Sequence, residues 1–302
     1  MKTAQVVHNP SAGNAGHTQD EIMDIVEKAG YSADYVSMED PLHWDNFDPN
    51  RADTIFLVGG DGTVRELAKV LLEKMKGIPV PIHLMPLGTA NNIARTLRIS
   101  SVLERHAADK KRSVKSFDCG RINGLSKKDF FLESVGFGVF PELIDEMRKR
   151  GSKTGDASSE LQKAIRVLSE IVKRTEPQKA TIKADGITIK GTFLLVELMN
   201  IQYLGPNIRL APHADPGDGY FELLMVPEKQ REALEHYLNE MMDGKSENLS
   251  LGDFVKTLRV QNVKLRWAGS KMHVDDRLVD DFSSKTIEIE MLTSALSFFQ
   301  DI

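Results

Sequence analysis

The chain carries a single cysteine, Cys119, so no internal disulfide can form, which fits a reducing cytoplasmic compartment. A small buried hydrophobe is the plain reading of that residue. Long hydrophobic runs are also missing, and the longest, such as Phe193–Val196, fall far short of a bilayer span. The opening MKTAQVVHNP has no extended apolar segment, so no secretory leader is expected. There is no basic excess either. A formal net charge of −5 argues against broad nucleic-acid binding, yet leaves room for a local basic patch at a membrane surface. No solenoid period and no low-complexity tract is visible.

Several chemical signatures are absent too. No G-x-x-x-x-G-K-[ST] run exists, which excludes a Walker P-loop. Gly60-Asp61-Gly62-Thr63-Val64-Arg65 lacks the last glycine of a dinucleotide fingerprint. Leu132-Glu133-Ser134-Val135-Gly136 lacks the first glycine of a nucleophile elbow. The eight histidines show no HExxH and no paired zinc-ligand spacing. His8, at the end of a predicted strand, reads as a packing or hydrogen-bonding residue.

What is present is a chain of 302 residues, long enough for about two domains of roughly 100–200 residues each. Apolar content of 41% and charged content of 27% suit a globular protein whose core needs no staple. Residues 4–8 read as a buried strand, followed by the loop 9–16. Ile22, Ile25, Val26 and Ala29 mark one face of a helix that stops at Gly30. Strands are predicted at Tyr31–Val36, Thr54–Val58 and Pro81–Met85. Helices follow the last two, through Val64, Leu67, Ala68, Leu71 and Leu72, and through Ile93, Ala94 and Leu97. Strand, loop and helix recur three times, the pattern of a parallel sheet with flanking helices.

The grammar changes near 112–118. Val114–Arg121 and Phe130–Val135 read as strands with no helix between them. Leu161, Ala164, Ile165, Leu168, Ile171 and Val172 make 158–175 strongly amphipathic. Strands at 179–184 and 187–198 are joined by an Asp185-Gly186 hairpin turn. Further strands are predicted at 203–209 and 220–226, a helix at 229–242, and short strands over 256–291. The second half is thus mainly antiparallel β. Domains are expected at 1–116 and 117–291, with a segment near 292–302 returning to the first.

Three loops, 9–16, 59–63 and 86–92, follow predicted parallel strands and each opens a helix. Open α/β sheets bind ligands at that edge. Helix N-termini favour anions there, and glycine lets backbone approach phosphate oxygens. One such loop could equally be a tight corner; three on one edge favour a phosphate site. Asp61 adds a carboxylate among those amides, which calls for a cation such as Mg²⁺ or a transferable proton.

These residues resemble the diacylglycerol kinase catalytic family, which includes sphingosine kinases and bacterial lipid kinases. Asn9-Pro10-Ser11-Ala12-Gly13 resembles its first loop, Gly59-Gly60-Asp61-Gly62-Thr63 its signature, and Pro86-Leu87-Gly88-Thr89-Ala90-Asn91 its third loop. Ala211-Pro212-His213-Ala214 followed by Asp218-Gly219 resembles a pattern of its second domain. The order and spacing agree over nearly the whole chain. NAD kinases share a GGDG-type loop, but their Gly-Ser-Thr-Ala-Tyr-like run is absent.

The resemblance implies an NAD kinase/diacylglycerol kinase-like fold: an α/β domain followed by a β-sandwich, with the acceptor entering a cleft between them. It implies an ATP-dependent lipid kinase that uses Mg²⁺. Asn9, Ser11, Gly13, Gly59, Gly60, Asp61, Gly62, Thr63, Gly88, Thr89 and Asn91 would hold the nucleotide. Asp61 and Asp118 would be acidic groups near the reaction. Asp215, Asp218 and the Tyr220 carbonyl would hold a structural Mg²⁺ or Ca²⁺, an ordinary turn being the equal alternative.

The sequence also departs from the family. Asn92 stands where an aspartate is usual, and Glu133 where an asparagine is usual. The family's Asp-Gly-Glu, whose glutamate is the expected base, corresponds to Asp275-Asp276-Arg277. Arg277 cannot accept a proton. Either a neighbouring acid such as Asp276 serves as base, or Arg277 binds an anionic acceptor, or the chain binds nucleotide with little transfer. Expected partners are a lipid substrate and a transient membrane contact, without nucleic acid and with a homodimer left open. The expected location is cytoplasmic or peripheral to the membrane. The basic cluster Arg148-Lys149-Arg150-Gly151-Ser152-Lys153 could meet anionic lipid, but a solvated charged face is favoured.

Overall fold

The computed structural model describes residues 2–13, 17–74, 80–100, 112–151, 157–244, 251–253, 255–279, 282 and 285–301. The chain divides into two compact units, residues 1–117 with 293–302, and residues 118–292.

The first unit is built on four parallel strands: β1 (Lys2–His8), β2 (Tyr31–Ser37), β3 (Thr54–Gly59) and β4 (Ile82–Pro86). Their order is β2-β1-β3-β4. β3 and β4 are buried at every residue, because helices cover both faces of a parallel sheet. Helix α1 (Gln19–Lys28) starts on a capping box. The Thr18 hydroxyl accepts the Glu21 N–H at 3.3 Å, and the Glu21 carboxylate accepts the Thr18 N–H at 2.9 Å. A single turn, α2 (His43–Asn46), precedes β3; α3 (Asp61–Lys74) follows β3, and the short α4 (Asn92–Thr96) follows β4. The register sets His8 beside Val58 and Gly59 beside Pro86, so three loops leave the same sheet edge together. Phe298 pairs with Ile82 in parallel. The His83 ring stacks between Phe56 and Phe299, with centroids 4.4 and 3.8 Å away.

The second unit begins within β5 (Arg112–Asn123). It continues through β6 (Asp129–Phe131), β7 (Ser134–Gly138), α5 (Val139–Arg150), α6 (Ala157–Arg174), β8 (Gln178–Ala184) and β9 (Ile187–Met199). The short pair β10 (Tyr203–Leu204) and β11 (Ile208–Arg209) precedes β12 (Phe221–Pro227) and α7 (Arg231–Met242). Last come β13 (Thr257–Val260), β14 (Asn262–Trp267), β15 (Met272–Val274), β16 (Arg277–Val279) and the first part of β17 (Thr286–Asp301), whose residues from 293 on belong to the first unit. β9 is the spine of this unit. Its first half pairs with β8, and its second half lies between β7 and β12, all antiparallel. Residues 193–200 are therefore buried without interruption. Leu194, Leu195 and Met199 pack with α5, α6 and α7, while Val196 and Leu198 join Phe137, Phe221, Leu265 and Trp267 in a second cluster. Fully burying each such side chain contributes about 1.5–3 kcal/mol.

The expected elements match in kind, including the Asp185-Gly186 turn, where both residues have positive φ (43° and 85°) as a type I′ hairpin requires. Three differences stand out. The predicted strand 130–135 is two strands, broken at Leu132-Glu133. The predicted strand 203–209 is a small hairpin of two short strands. Helix α5 carries no helix prediction; a positive-φ Gly138 before it and Pro141 in its first turn obscure its start.

Candidate active site

The three loops at the sheet edge of the first unit form one assembly. Leu87 N–H donates to the Gly59 carbonyl at 3.0 Å, and Asn9 N–H to the Val58 carbonyl at 2.9 Å. Asn9 Nδ2 donates to Thr63 Oγ1 at 3.1 Å, while Asn9 Oδ1 accepts the Ser11 hydroxyl at 2.7 Å. Asn91, in the left-handed region at φ 51°, closes the third loop. Its Oδ1 accepts the Gly88 N–H at 2.9 Å and its Nδ2 donates to the Gly88 carbonyl at 2.6 Å. Thr89 stays exposed at the tip.

Glycine is required in these loops for two distinct reasons. A Cβ on Gly60 would lie 2.9 Å from Gly88 Cα, and one on Gly13 would lie 1.9 Å from the Leu87 carbonyl oxygen. Those glycines let the loops touch. Gly62 differs: a Cβ there meets nothing within 4 Å. It occupies the first turn of α3, where glycine costs about 0.8–1.0 kcal/mol against alanine. Packing does not explain it, but the approach of a ligand to the helix N-terminus does. The residues therefore fit a bound phosphate.

Asp61 has a task the sequence does not reveal. Its carboxylate accepts the Asn92 N–H at 2.9 Å and the Ile93 N–H at 3.0 Å. It thus caps α4 from across the sheet edge, joining the second loop to the third. Asn92 is buried beside it. His8 is buried at the end of β1, with Nδ1 2.7 Å from the Tyr35 hydroxyl, the bonding role expected of it. Burial, followed by the charge of His17, lowers its pKa, against a smaller raising effect of Glu39.

In the second unit, Asp118 is buried and bound to the 215–220 turn. Its Oδ2 accepts the Gly219 N–H at 2.8 Å, and its own N–H donates to the Pro216 carbonyl. Asn200 Nδ2 donates to the carbonyls of Asp118 and Leu132 at 2.9 and 2.8 Å. Asp275 is 3% exposed, and its Oδ1 accepts the N–H groups of Leu132, Glu133 and Ser134 at 3.1, 2.8 and 3.3 Å. That pull breaks the predicted strand at 132–133. Asp275 and Asp276 form the two-residue turn between β15 and β16. Asp276 is exposed, and its carbonyl accepts from Arg148 at 2.8 Å. Arg277 donates to the Asp129 carboxylate at 2.8 Å. Asp276, not Asp275, is therefore the acid of this turn whose side chain is exposed.

The turn carrying Asp215, Asp218 and Tyr220 is held by its own hydrogen bonds and by a side-chain cation. Asp215 Oδ1 accepts the Gly217 N–H at 2.9 Å and Asp218 Oδ1 the Tyr220 N–H at 3.0 Å. Asp218 Oδ2 meets the Arg259 guanidinium at 2.5 Å. That guanidinium also lies 4.5 Å from the centroid of the Tyr220 ring and 3.8 Å from Glu222. Burial raises the pKa of Glu222, Arg259 lowers it and Asp218 raises it further. Among the described residues no group of three or more acidic, histidine or cysteine side chains could hold a metal. A side-chain cation stands where the resemblance placed a metal.

In the basic cluster of α5, Lys149 pairs with Asp145 at 3.0 Å and Arg150 with Glu170 at 3.1 Å. Ser152 and Lys153 lie outside the described residues. No helix among the described residues is long and apolar enough to cross a membrane. His273, Glu197 and Asn200 escaped the sequence reading, because each is a lone polar residue in or beside an apolar strand.

A parallel α/β unit whose three loops meet at one sheet edge is thus followed by an antiparallel β unit. Comparison with known families makes this specific. Residues 3–122 match the diacylglycerol kinase catalytic domain, and residues 147–296 match the YegS C-terminal NAD kinase beta sandwich-like domain. Together these two matches span most of the chain. It is 27% identical to a diacylglycerol kinase of Bacillus subtilis (strain 168), over 75% of this chain and 74% of that one. It is 28% identical to a probable lipid kinase YegS-like protein of Alcanivorax borkumensis, over 59% of this chain and 56% of the relative, just over half its length. The crystal structure of a diacylglycerol kinase from Bacillus anthracis str. Sterne shares the fold, with a TM-score of 0.72, 21% identity, and 99% and 97% of the two chains covered.

Proposed function

We propose that this chain is an ATP-dependent kinase that phosphorylates a hydroxyl of diacylglycerol or a similar lipid. The observation that carries the phosphate site is Gly62, whose missing side chain leaves open space at the N-terminus of α3. The match of residues 3–122 to the diacylglycerol kinase catalytic domain supports the reaction class. Asn9, Ser11, Gly13, Gly59, Gly60, Gly62, Thr63, Gly88, Thr89 and Asn91 form or hold the loops that would receive the nucleotide phosphates. Mg²⁺, when bound with ATP, neutralises charge on the transferring phosphate, and Asp61 is the residue offered to it. The acceptor hydroxyl gives its proton to a carboxylate, for which Asp276 is the candidate. Its oxygen bonds the γ-phosphorus as the bond to ADP breaks. Asp118 acts on the acceptor side by holding the 215–220 turn.

The test is transfer of labelled phosphate from ATP to vesicles containing diacylglycerol, with sphingosine and monoacylglycerol in parallel. Transfer to at least one lipid is expected, and its loss in Asp276→Asn. No transfer to any lipid overturns the proposal. The ion pair of Arg277 with Asp129 supports a second reading, a nucleotide-binding homologue with little turnover. Calorimetry showing ATP binding without transfer is its signature. The same pair weakens the case for a soluble anionic acceptor, since that guanidinium already meets a carboxylate.

A further inference from the structure

Next to the Asp275-Asp276 turn lies a fully buried ionisable pair that the proposed reaction does not use. His273 on β15 and Glu197 on β9 are both 0% exposed. His273 Nδ1 is 2.8 Å from the Asp275 carbonyl oxygen, and Nε2 is 3.0 Å from Glu197 Oε1 and 3.1 Å from Oε2. A carbonyl can only accept, and so can an ionised carboxylate. Nδ1 therefore carries a proton, and with Glu197 ionised Nε2 carries one too, which makes the ring imidazolium. Burial alone would lower the His273 pKa, but the charge and hydrogen bond of Glu197, then the carbonyl and charge of Asp275, raise it overall. Opposite His273, β7 presents Gly136 and β16 presents Leu278, so Glu197 and Asp275 are the charged groups that face the ring.

The pair has a built-in seat. A Cβ on Gly136 would lie 1.7 Å from Glu197 Oε2, so the carboxylate fits only because that position is glycine. The Asp275 it supports belongs to the turn itself. Its φ is 51°, the left-handed conformation that a two-residue hairpin turn uses. From that conformation its N–H reaches the Ser134 carbonyl at 2.8 Å, and its carboxylate gathers the three N–H groups of residues 132–134.

We propose that His273 and Glu197 are positioning residues. The imidazolium, anchored by Glu197, donates to the Asp275 carbonyl and locks the turn that presents Asp276 and the 132–134 strap that presents Glu133. The catalytic meaning of the turn rests on the kinase reading above; the lock itself does not. When the imidazolium loses one proton at alkaline pH, the remaining proton stays at Nε2, beside the Glu197 carboxylate, because a charge-assisted bond is the stronger one. The Nδ1 lone pair then faces the Asp275 carbonyl, and the turn is released. Glu197→Gln removes that preference. Its amide can donate to Nε2, so the neutral ring keeps its Nδ1 proton and the lock persists.

The experiment measures hydrogen-exchange protection at Leu132, Glu133 and Ser134 against pH, alongside lipid-phosphorylation kinetics. In the wild type, protection should fall by up to about tenfold per pH unit from about pH 6.5 up to the raised His273 pKa, and level off above it. Glu197→Gln should hold its protection flat there, and His273→Leu should lose it throughout. The transfer kcat should follow the same order, with a loss of about tenfold to a hundredfold in His273→Leu and an unchanged KM for ATP. Flat wild-type protection, or the same alkaline fall in Glu197→Gln, overturns the proposal. The wild-type and Glu197→Gln comparison decides it even if His273→Leu does not fold. If protection behaves as stated but no form transfers phosphate, the kinase reading fails and the lock stands.

Discussion

Single residues in the first unit do two jobs at once, and substitutions there separate them. Gly62 is in helical backbone with open space around its missing side chain. Gly62→Ala should stabilise the protein by about 0.5–1 kcal/mol, since alanine has the better helix propensity and loses less backbone entropy. The same methyl group should weaken ATP binding by about tenfold or more, roughly 1.4 kcal/mol. Melting temperature and calorimetric affinity should thus move in opposite senses; a joint loss would mean that Gly62 serves packing. Asp61 shows the converse difficulty. Asp61→Asn leaves an amide N–H facing the backbone N–H groups of α4, at a cost of about 1–3 kcal/mol. Lost activity in that variant therefore speaks to a metal role only if chemical denaturation shows the fold intact. The sequence shows Asp61 as an acid among glycines, but its cap on residues 92 and 93 depends on two loops meeting.

Turns and strand pairs carry the next level. The Asp218–Arg259 contact stands where a divalent ion was expected, and Arg259 is directly opposite Glu222 across β12 and β13. Without nucleotide, EDTA and millimolar Mg²⁺ should leave the melting temperature unchanged. Arg259→Gln should lower it by only about 1–3 °C, because a half-exposed ion pair is weak. A clear rise with Mg²⁺, abolished by Asp218→Asn, would restore the metal reading. Gly136→Ala tests the seat of the buried pair. The new methyl overlaps Glu197, so a loss of about 1–3 kcal/mol is expected in urea unfolding. At this scale the sequence is a good guide where periodicity is strong. α6 buries Ala164, Ile165, Leu168, Ile171 and Val172, and the Asp185-Gly186 turn has its expected backbone. It is a poor guide at 130–135, where the predicted strand is broken by a carboxylate more than a hundred residues away.

For the molecule as a whole, two buried histidines set opposite pH limbs. His8 has a lowered pKa, so its contribution is full above the unfolded value of about 6.5 and is lost as pH falls towards the lowered value. His273 has a raised pKa, so its contribution is full below about 6.5 and is lost as pH rises through the raised value. Denaturation across pH should show His8→Gln shallower on the acid side and Glu197→Gln shallower on the alkaline side. Identical limbs in all three proteins would contradict both assignments. The fold class and the three phosphate-type loops were determined by the sequence alone, because strand, loop and helix signals are local and the loops share one spacing pattern. The resemblance to diacylglycerol kinases was legible in those loops and in the Ala211–Gly219 run. Tertiary structure alone decided what each acid faces. Asp61 caps α4, Asp118 holds Gly219, Arg259 meets Asp218, and His273 finds Glu197 across 76 positions of chain. Hydrogen-bond partners are chosen by approach in space, and a carboxylate has the same letter whether it meets a metal, a guanidinium or a row of backbone N–H groups.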